Sequence, residues 1–331
     1  MQEIGITRIE ELNSNNVEQI QALYEEFQVK STTDYKFDIA PLEYQDFKNV
    51  VNENILKGFI LFEDSIPKGF LLYVIEAHKA IELNIIFVPD YDNAKRSALL
   101  QALIDLYKDK TDWNVISYPM LGIQDSFVRD IVLQGFKLLG QSIVKFKFDN
   151  LVSFQILQNL ILSELPEEYQ ITVWRDEYFD QASEAVHDTF RTATDTNFDP
   201  RFLTLEGCKD VVEKIITNVF GAFQRNCTTV ILHKDEVIGV CFVNVTDIHT
   251  ANIPLIGVKK AYKNKGFGKY LLKCCLIQII GNVQEKRIFA SEANAAVETD
   301  NFPAIRMYRK IGFKEDYTYP HAYLKNPIFS E

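Results

Sequence analysis

The interval from Gly69 to Val88 recurs unchanged from Gly239 to Val258, and the patterning around each pair recurs with it. Upstream of the first pair, Val17, Ile20, Leu23, Tyr24 and Phe27 fall at helical spacing; upstream of the second, Ala182, Ala185, Val186 and Phe190 do the same. Residues 58–74 and 228–243 are each two β-rich runs broken by a short acidic turn, which predicts a hairpin in both places. After each valine comes a further helix, then a Gly-Phe pair (Gly135-Phe136 and Gly312-Phe313), then a last strand, Lys137–Phe148 or Lys314–Leu324. Self-similarity at so long a period marks a duplicated domain rather than a short-repeat solenoid. Strands alternate with helices inside each copy, so each is an α/β unit with a sheet of mixed direction. A chain of 331 residues accommodates two such units. The boundary is expected within 149–168, where a Leu-rich stretch over 151–165 reads as a connecting helix ending before Pro166. That places the domains at 1–150 and 151–331.

A formal net charge of -11 argues against nucleic acid as a partner, because phosphate binding needs a clustered basic excess. It would favour cationic partners such as amines, although an ordinary soluble cytosolic protein is the commoner reason for an acidic balance. No run approaches the roughly 20 apolar residues of a membrane-spanning helix, so no membrane partner is expected. Met1-Gln-Glu-Ile-Gly lacks the basic start and apolar run of a secretory signal. The five cysteines (Cys208, Cys227, Cys241, Cys274 and Cys275) are odd in number and form no Cys-x-x-Cys pair. Reduced core thiols in a cytoplasmic protein, with no metal, are the expectation.

Two stretches of the second copy carry chemistry. In residues 256–272 an apolar strand ends at Val258, a basic turn with glycines follows over 263–268, and a helix opens with Leu271, Leu272, Cys275, Leu276 and Ile279 on one face. A helix start offers unpaired N–H groups and the positive end of the dipole, which together bind anions. Gly266 and Gly268 let backbone approach a phosphate, and Lys263, Lys265 and Lys269 add mobile positive charge. A pyrophosphate is the natural fit; a plain glycine loop with solvated lysines is the competing explanation for Gly-x-Gly alone. The Walker pattern is absent, and so is the third glycine of a dinucleotide fingerprint. In the second stretch Asn301 precedes Pro303 as an N-cap, Ala304, Tyr308 and Ile311 share a helical face, and Gly312 is the stop. Taken alone, Tyr308 reads as a core aromatic.

Together the two stretches resemble the GNAT superfamily of acyl-CoA-dependent N-acyltransferases. Its signature Arg/Gln-x-x-Gly-x-Gly/Ala reads here Lys263-Asn264-Lys265-Gly266-Phe267-Gly268, with lysine in the first place. The Asn, Ala, Tyr and Gly-Phe of its second signature fall on Asn301, Ala304, Tyr308 and Gly312-Phe313. The resemblance implies two tandem GNAT-like domains, each a mixed, mostly antiparallel sheet flanked by helices. It implies acetyl-CoA as co-substrate, no metal, and an amine acceptor that is a small molecule or a peptide. The CoA contacts it implies are the backbone of Ile256 and Val258, the turn Lys263, Asn264, Lys265, Gly266, Phe267, Gly268 and Lys269, the amide of Asn301, and Tyr308. Ile256 and Val258 would pair with the pantetheine amides and polarise the thioester carbonyl. Tyr308 would protonate the departing thiolate as general acid, with the amine attacking directly in a ternary complex.

The attacking amine must lose a proton. Glu292, on a strand expected over 287–293, and Asp247 or His249, ahead of the strand to Val258, are the candidate bases; each also reads as ordinary polar surface. His249 has the most suitable intrinsic pKa, and the sequence does not choose among the three. Residues 192–202 are polar, aromatic and loop-like, a candidate wall for the acceptor pocket or a plain connector. In the first copy the glycine turn is replaced by Tyr91-Asp92-Asn93-Ala94-Lys95-Arg96-Ser97-Ala98, and Ile131 stands opposite Tyr308. That copy is expected to be degenerate and non-catalytic. Two readings from other classes compete: a CoA-binding regulator without turnover, and a purely structural tandem module that leaves both motifs unexplained.

Overall fold

The computed structural model describes residues 7–37, 40–76, 78–149, 151–162, 164–246 and 250–329. The chain divides into two compact units, one of Met1–Leu139, Asn197–Asp199 and Tyr319–Glu331, the other of Gly140–Thr196 and Pro200–Thr318. Among the described residues no helix is long and apolar enough to cross a membrane.

The first unit is built from β1 (Thr7–Glu11), α1 (Gln21–Thr33), α2 (Tyr44–Asn52), β2 (Lys57–Glu63), β3 (Ile66–Ile75), β4 (Ala80–Phe87), α3 (Asn93–Tyr107), β5 (Val115–Pro119), α4 (Val128–Leu133) and the first residues of β6 (Lys137–Lys147). β1 to β4 pair antiparallel in sequence order, and β4 then pairs parallel with β5 over Ala80–Glu82 only. Runs such as Phe59–Phe62 and Phe70–Tyr73 are buried throughout, because the strands are covered on both faces.

The second unit holds most of β6, then α5 (Leu151–Asn159), β7 (Tyr169–Val173), α6 (Phe179–Phe190), α7 (Leu205–Ile216), β8 (Ala222–Phe223), β9 (Thr229–His233), β10 (Glu236–Cys241), β11 (Asn244–Val245), β12 (Thr250–Asn252), β13 (Ile256–Val258), α8 (Phe267–Gln284), β14 (Glu292–Glu298), α9 (Phe302–Ile311) and the start of β15 (Lys314–Lys325). Its strands form two runs of neighbours, β6-β14-β12-β11-β8 and β13-β10-β9-β7. Leu271, Leu272, Cys275, Leu276 and Ile279 of α8 are fully buried. At roughly 1.5–3 kcal/mol for each large apolar side chain, that face fixes where the helix begins.

The mixed α/β class read from the sequence is the observed one, and both hairpins form. Their turns, Asp64-Ser65 and Lys234-Asp235, have φ of 49° and 68°, and 49° and 69°, as two-residue type I′ turns require. The repeated Gly–Val interval is a strand register. Gly239 pairs with Val258 across β10 and β13, and a Cβ on Gly69 would meet Val88 Cγ2 at 2.8 Å. The compact units interleave along the chain, where the sequence predicts a single division into 1–150 and 151–331. β6 joins β14 of the second unit from Gln141 to Lys147, while His321–Lys325 of β15 pair with β5 of the first. Each last strand thus leaves the unit of the segment it ends, since a strand belongs to whichever sheet edge takes up its backbone hydrogen bonds.

Candidate active site

β12 runs parallel to β14, with Thr250 beside Glu292 and Asn252 beside Asn294, and the Ile253 N–H donates to Asn294 O at 2.9 Å. At Pro254, which has no N–H to offer, the chain leaves β14 and turns to β10. There Phe242 N–H donates to Leu255 O at 2.9 Å, and Lys259 N–H to Ile238 O at 2.8 Å. Backbone direction alternates along a strand, so Leu255, Gly257 and Lys259 face β10. The N–H and C=O of Ile256 and Val258 therefore face the side that β14 has vacated. Gly257 keeps α6 close above this strand: a Cβ there would lie 3.1 Å from Thr189 Oγ1 and 3.2 Å from Phe190 Cε2.

The basic turn is held from below. Asp188 accepts the Lys260 N–H at 2.6 Å, and Tyr262 Oη lies 2.9 Å from His233 Nδ1. Phe267, the first residue of α8, is buried against Tyr169 with ring centroids 4.8 Å apart. Gly266 caps the helix at φ +87°, and nothing would lie within 4 Å of a Cβ placed on it. Among the described residues the N–H groups of Gly266, Phe267 and Gly268 meet no acceptor. Lys263 and Lys269 border the opening, and no carboxylate pairs with them among the described residues. Lys265 is exposed, its Nζ 5.3 Å over the Tyr262 ring.

Helix α9 closes the far wall. Asn301 Oδ1 accepts the Ala304 N–H at 3.2 Å, so this oxygen caps the helix and the side-chain NH2 is the group left for a ligand. Gly312 ends the helix at φ +112°, its carbonyl accepting from Ser153 Oγ at 2.9 Å. Tyr308, one turn beyond Ala304, points into the core with its ring 5.1 Å from Phe313. Burial, and secondarily the Cys241 and Cys275 thiols beside it, push its phenol far above the ordinary range. Cys241 in turn pairs with Ile256.

These elements enclose a cleft of about 540 Å³. It gathers Ile256, Val258, Lys263, Asn264, Gly266, Phe267, Gly268, Lys269 and Asn301, together with Ala304 and Met307 of α9. Tyr308 lies in the core one helical turn from Ala304 and is not among the lining residues. Glu292 is elsewhere: the strand expected over 287–293 runs instead over Glu292–Glu298. Glu292 sits at its remote end, paired with Lys145 at 2.8 Å. Asp247 and His249 lie outside the described residues. Of the 192–202 segment, Ala193 and Asp195 line the cleft, whereas Phe202 is core. Sequence reasoning missed Thr189 and Phe190, which sit on the helix read only for its apolar face. It also missed Glu298, whose carboxylate accepts the hydroxyl of Thr194. Among the described residues no group of His, Cys, Asp and Glu could hold a metal ion.

Counted from the paired valines, Ile86 of the first unit corresponds to Ile256, and Arg96 to Gly266. β4 parts from β5 as β13 does from β14, but the gap is filled from within. Ile86 N–H donates to Tyr118 Oη at 3.4 Å, and that hydroxyl donates to Gln124 Oε1 at 2.5 Å. The start of α3 is self-capped, with the Asp92 carboxylate accepting the Ala94 and Lys95 N–H groups at 2.7 and 3.2 Å. Arg96 is fully buried between the rings of Tyr91 and Phe127 and beside the Tyr35 phenol, and among the described residues its guanidinium nitrogens make no hydrogen bond of good geometry. Two cation–π contacts set against the desolvation of a whole charge leave it near or below break-even. Arg96→Met keeps the packed stem and removes the charge. It is expected to leave stability unchanged or to raise it by up to about 2 kcal/mol, read from the urea midpoint.

Residues 224–315 match the family model described as "Acetyltransferase (GNAT) domain". A comparison with curated proteins finds no significant sequence relative. Among solved structures, the chain is similar to a GCN5-related N-acetyltransferase from Sphaerobacter thermophilus, with a TM-score of 0.63 at 13% identity over 96% of this chain and 95% of that one. It is similar to a tandem GNAT protein from the clavulanic acid biosynthesis pathway, with a TM-score of 0.63 at 14% identity over 97% and 99%. An acetyltransferase from the GNAT family of Colwellia psychrerythraea gives a TM-score of 0.52 at 11% identity over 96% and 99%. At such identities the likeness is one of fold. Residues 224–315 thus resemble a GNAT acetyltransferase domain, and the chain as a whole has a fold like that of a tandem GNAT protein.

Proposed function

We propose that this protein is an acyl-CoA-dependent N-acyltransferase, with acetyl-CoA as donor and one active centre, in the second unit. The observation that carries the reading is the convergence of two kinds of unpaired backbone on one cleft: the start of α8 at Gly266–Gly268, and the outward N–H and C=O groups of Ile256 and Val258. The first fits a pyrophosphate flanked by Lys263 and Lys269. The second fits the amides of a pantetheine arm, laid along the strand as an added neighbour. The thioester would then lie beside Ile256, near Cys241 and the Tyr308 phenol. Tyr308 stays protonated through neutral pH and beyond, the state a general acid needs to receive a thiolate.

Direct attack by the amine is supported by the state of the thiols. Burial pushes Cys227 up to about 12, and Cys274 and Cys275 are raised as well. None of these three offers the thiolate that an acyl-enzyme would require. The first unit has no turnover of its own, since Tyr118, Asp92 and Arg96 occupy the positions a ligand would need. A second reading, CoA binding without turnover, is favoured by one observation, the burial of Tyr308 outside the cleft lining. Calorimetry with acetyl-CoA, followed by thiol release on adding a panel of primary amines, separates the two. Binding with release is the expected result. Binding without release supports the regulator, and no binding overturns both.

A further inference from the structure

We propose that Glu298, gated by Thr194, is the subsite that receives a cationic amine acceptor, and that its carboxylate takes the first proton. The proposal deepens the acyltransfer reading and rests on it. β14 runs parallel to β12, so its C-terminal residue, Glu298, lies at the end where β13 has departed. Alternation along β14 buries Ala293, Ala295 and Val297 under α8 and α9 and turns Glu298 to the opposite face. Its carboxylate is partly exposed, and its one side-chain partner among the described residues is the Thr194 hydroxyl, which donates to both oxygens. Ala193 and Asp195, on either side of Thr194, line the cleft. So does Asn301, whose N–H donates to Glu298 O at 3.0 Å. Glu292, on the same face of the same strand, is neutralised by Lys145; no cation pairs with Glu298 among the described residues. A carboxylate whose side-chain partner among the described residues is a hydroxyl, next to residues that line the cleft, suits a primary ammonium, which displaces the threonine.

The proton balance closes. The docked R–NH3+ passes one proton to a Glu298 oxygen, and the neutral nitrogen attacks the thioester carbonyl carbon. The C–N bond forms and the C–S bond breaks, and the sulfur takes the Tyr308 proton. The second proton leaving the nitrogen restores that phenol through solvent, and Glu298 releases its own to water. One proton is set free for each amide formed.

The test compares full-length wild type with Glu298→Gln, Glu298→Asp and Thr194→Val, using acetyl-CoA with putrescine, spermidine, glucosamine and butylamine, and separately with hydroxylamine. Hydroxylamine is uncharged above neutral pH, so it needs no ammonium docking and no proton removed before it attacks. Glu298→Gln is expected to lower kcat/KM for the cationic amines by about 10²-fold near neutral pH. That deficit should shrink as pH approaches the amine pKa. Acetyl-CoA affinity and hydroxylamine-supported thiol release should stay within about twofold. Glu298→Asp should recover part of the loss, and Thr194→Val should equal or exceed wild type. Wild-type turnover of cationic amines by Glu298→Gln overturns the proposal, as does an equal loss with hydroxylamine. Failure of the wild type to bind acetyl-CoA, or to release thiol with any acceptor, overturns the acyltransfer reading and this role with it.

Discussion

Tyr308→Phe is expected to lower kcat for amine-dependent thiol release by about 10²–10⁴-fold, with acetyl-CoA affinity within about twofold of wild type. The ring stays in place, because its packing against Phe313 and the apolar cluster around it is unchanged by loss of the oxygen. Stability should also be almost unaffected, since no hydrogen bond of the hydroxyl exists among the described residues to be lost. The activity loss would therefore be chemical rather than a consequence of unfolding. Wild-type activity should show no fall on the alkaline side attributable to Tyr308. Burial raises its pKa, so the phenol keeps its proton throughout the usable pH range. Initial rates from pH 6 to pH 10 (about neutral to the ordinary tyrosine range), with thermal melts of both proteins, make the measurement. A variant that keeps kcat across that range removes Tyr308 from the mechanism.

Gly266→Asp is expected to weaken acetyl-CoA binding by about 10²–10³-fold. A carboxylate at this position would face the anion site proposed at the start of α8, taken as a contact of about 4 Å. At an effective dielectric near 20 the repulsion between unit charges at that distance is about 4 kcal/mol, and each ~1.4 kcal/mol is tenfold in affinity. Strain is the competing explanation, because φ is +87° at this residue. Gly266→Ala is the control: nothing lies within 4 Å of its Cβ. Its backbone cost is about 1–2 kcal/mol, and Asp tolerates the left-handed region better than most residues. Titration calorimetry should show Ala binding nearly as wild type and Asp scarcely binding, with both folded by thermal melt. Equal affinity in all three proteins would place the pyrophosphate elsewhere. The first unit already carries an anion at its corresponding helix start, where the Asp92 carboxylate takes up the N–H groups of α3.

The legible features were those confined to one short stretch of chain. Gly266 and Gly312 adopt positive φ where the motif spacing calls for a helix start and a helix stop, and Asn301 caps α9 as its place before Pro303 predicts. The interval from Gly239 to Val258 was legible as a repeat, but its meaning as a cross-strand pair needed the sheet. Glu292 and Glu298 show where reading stops. They share a strand and a face, differ by three turns of the same pleat, and are indistinguishable as sequence. Lys145, on β6, neutralises one, while Thr194, in the segment after α6, marks the other.

What the sequence determined by itself, then, is the duplication, the glycine turn that opens a helix and the two helix caps, because φ preferences and helix-end hydrogen bonds involve residues a few places apart. The tertiary structure alone decided that β6 pairs with β14 and the end of β15 with β5. It also decided that Tyr118 closes the strand gap of the first unit while the corresponding gap of the second stays open. Those outcomes depend on which sheet edges meet and in what register, and groups brought together that way are remote in the chain.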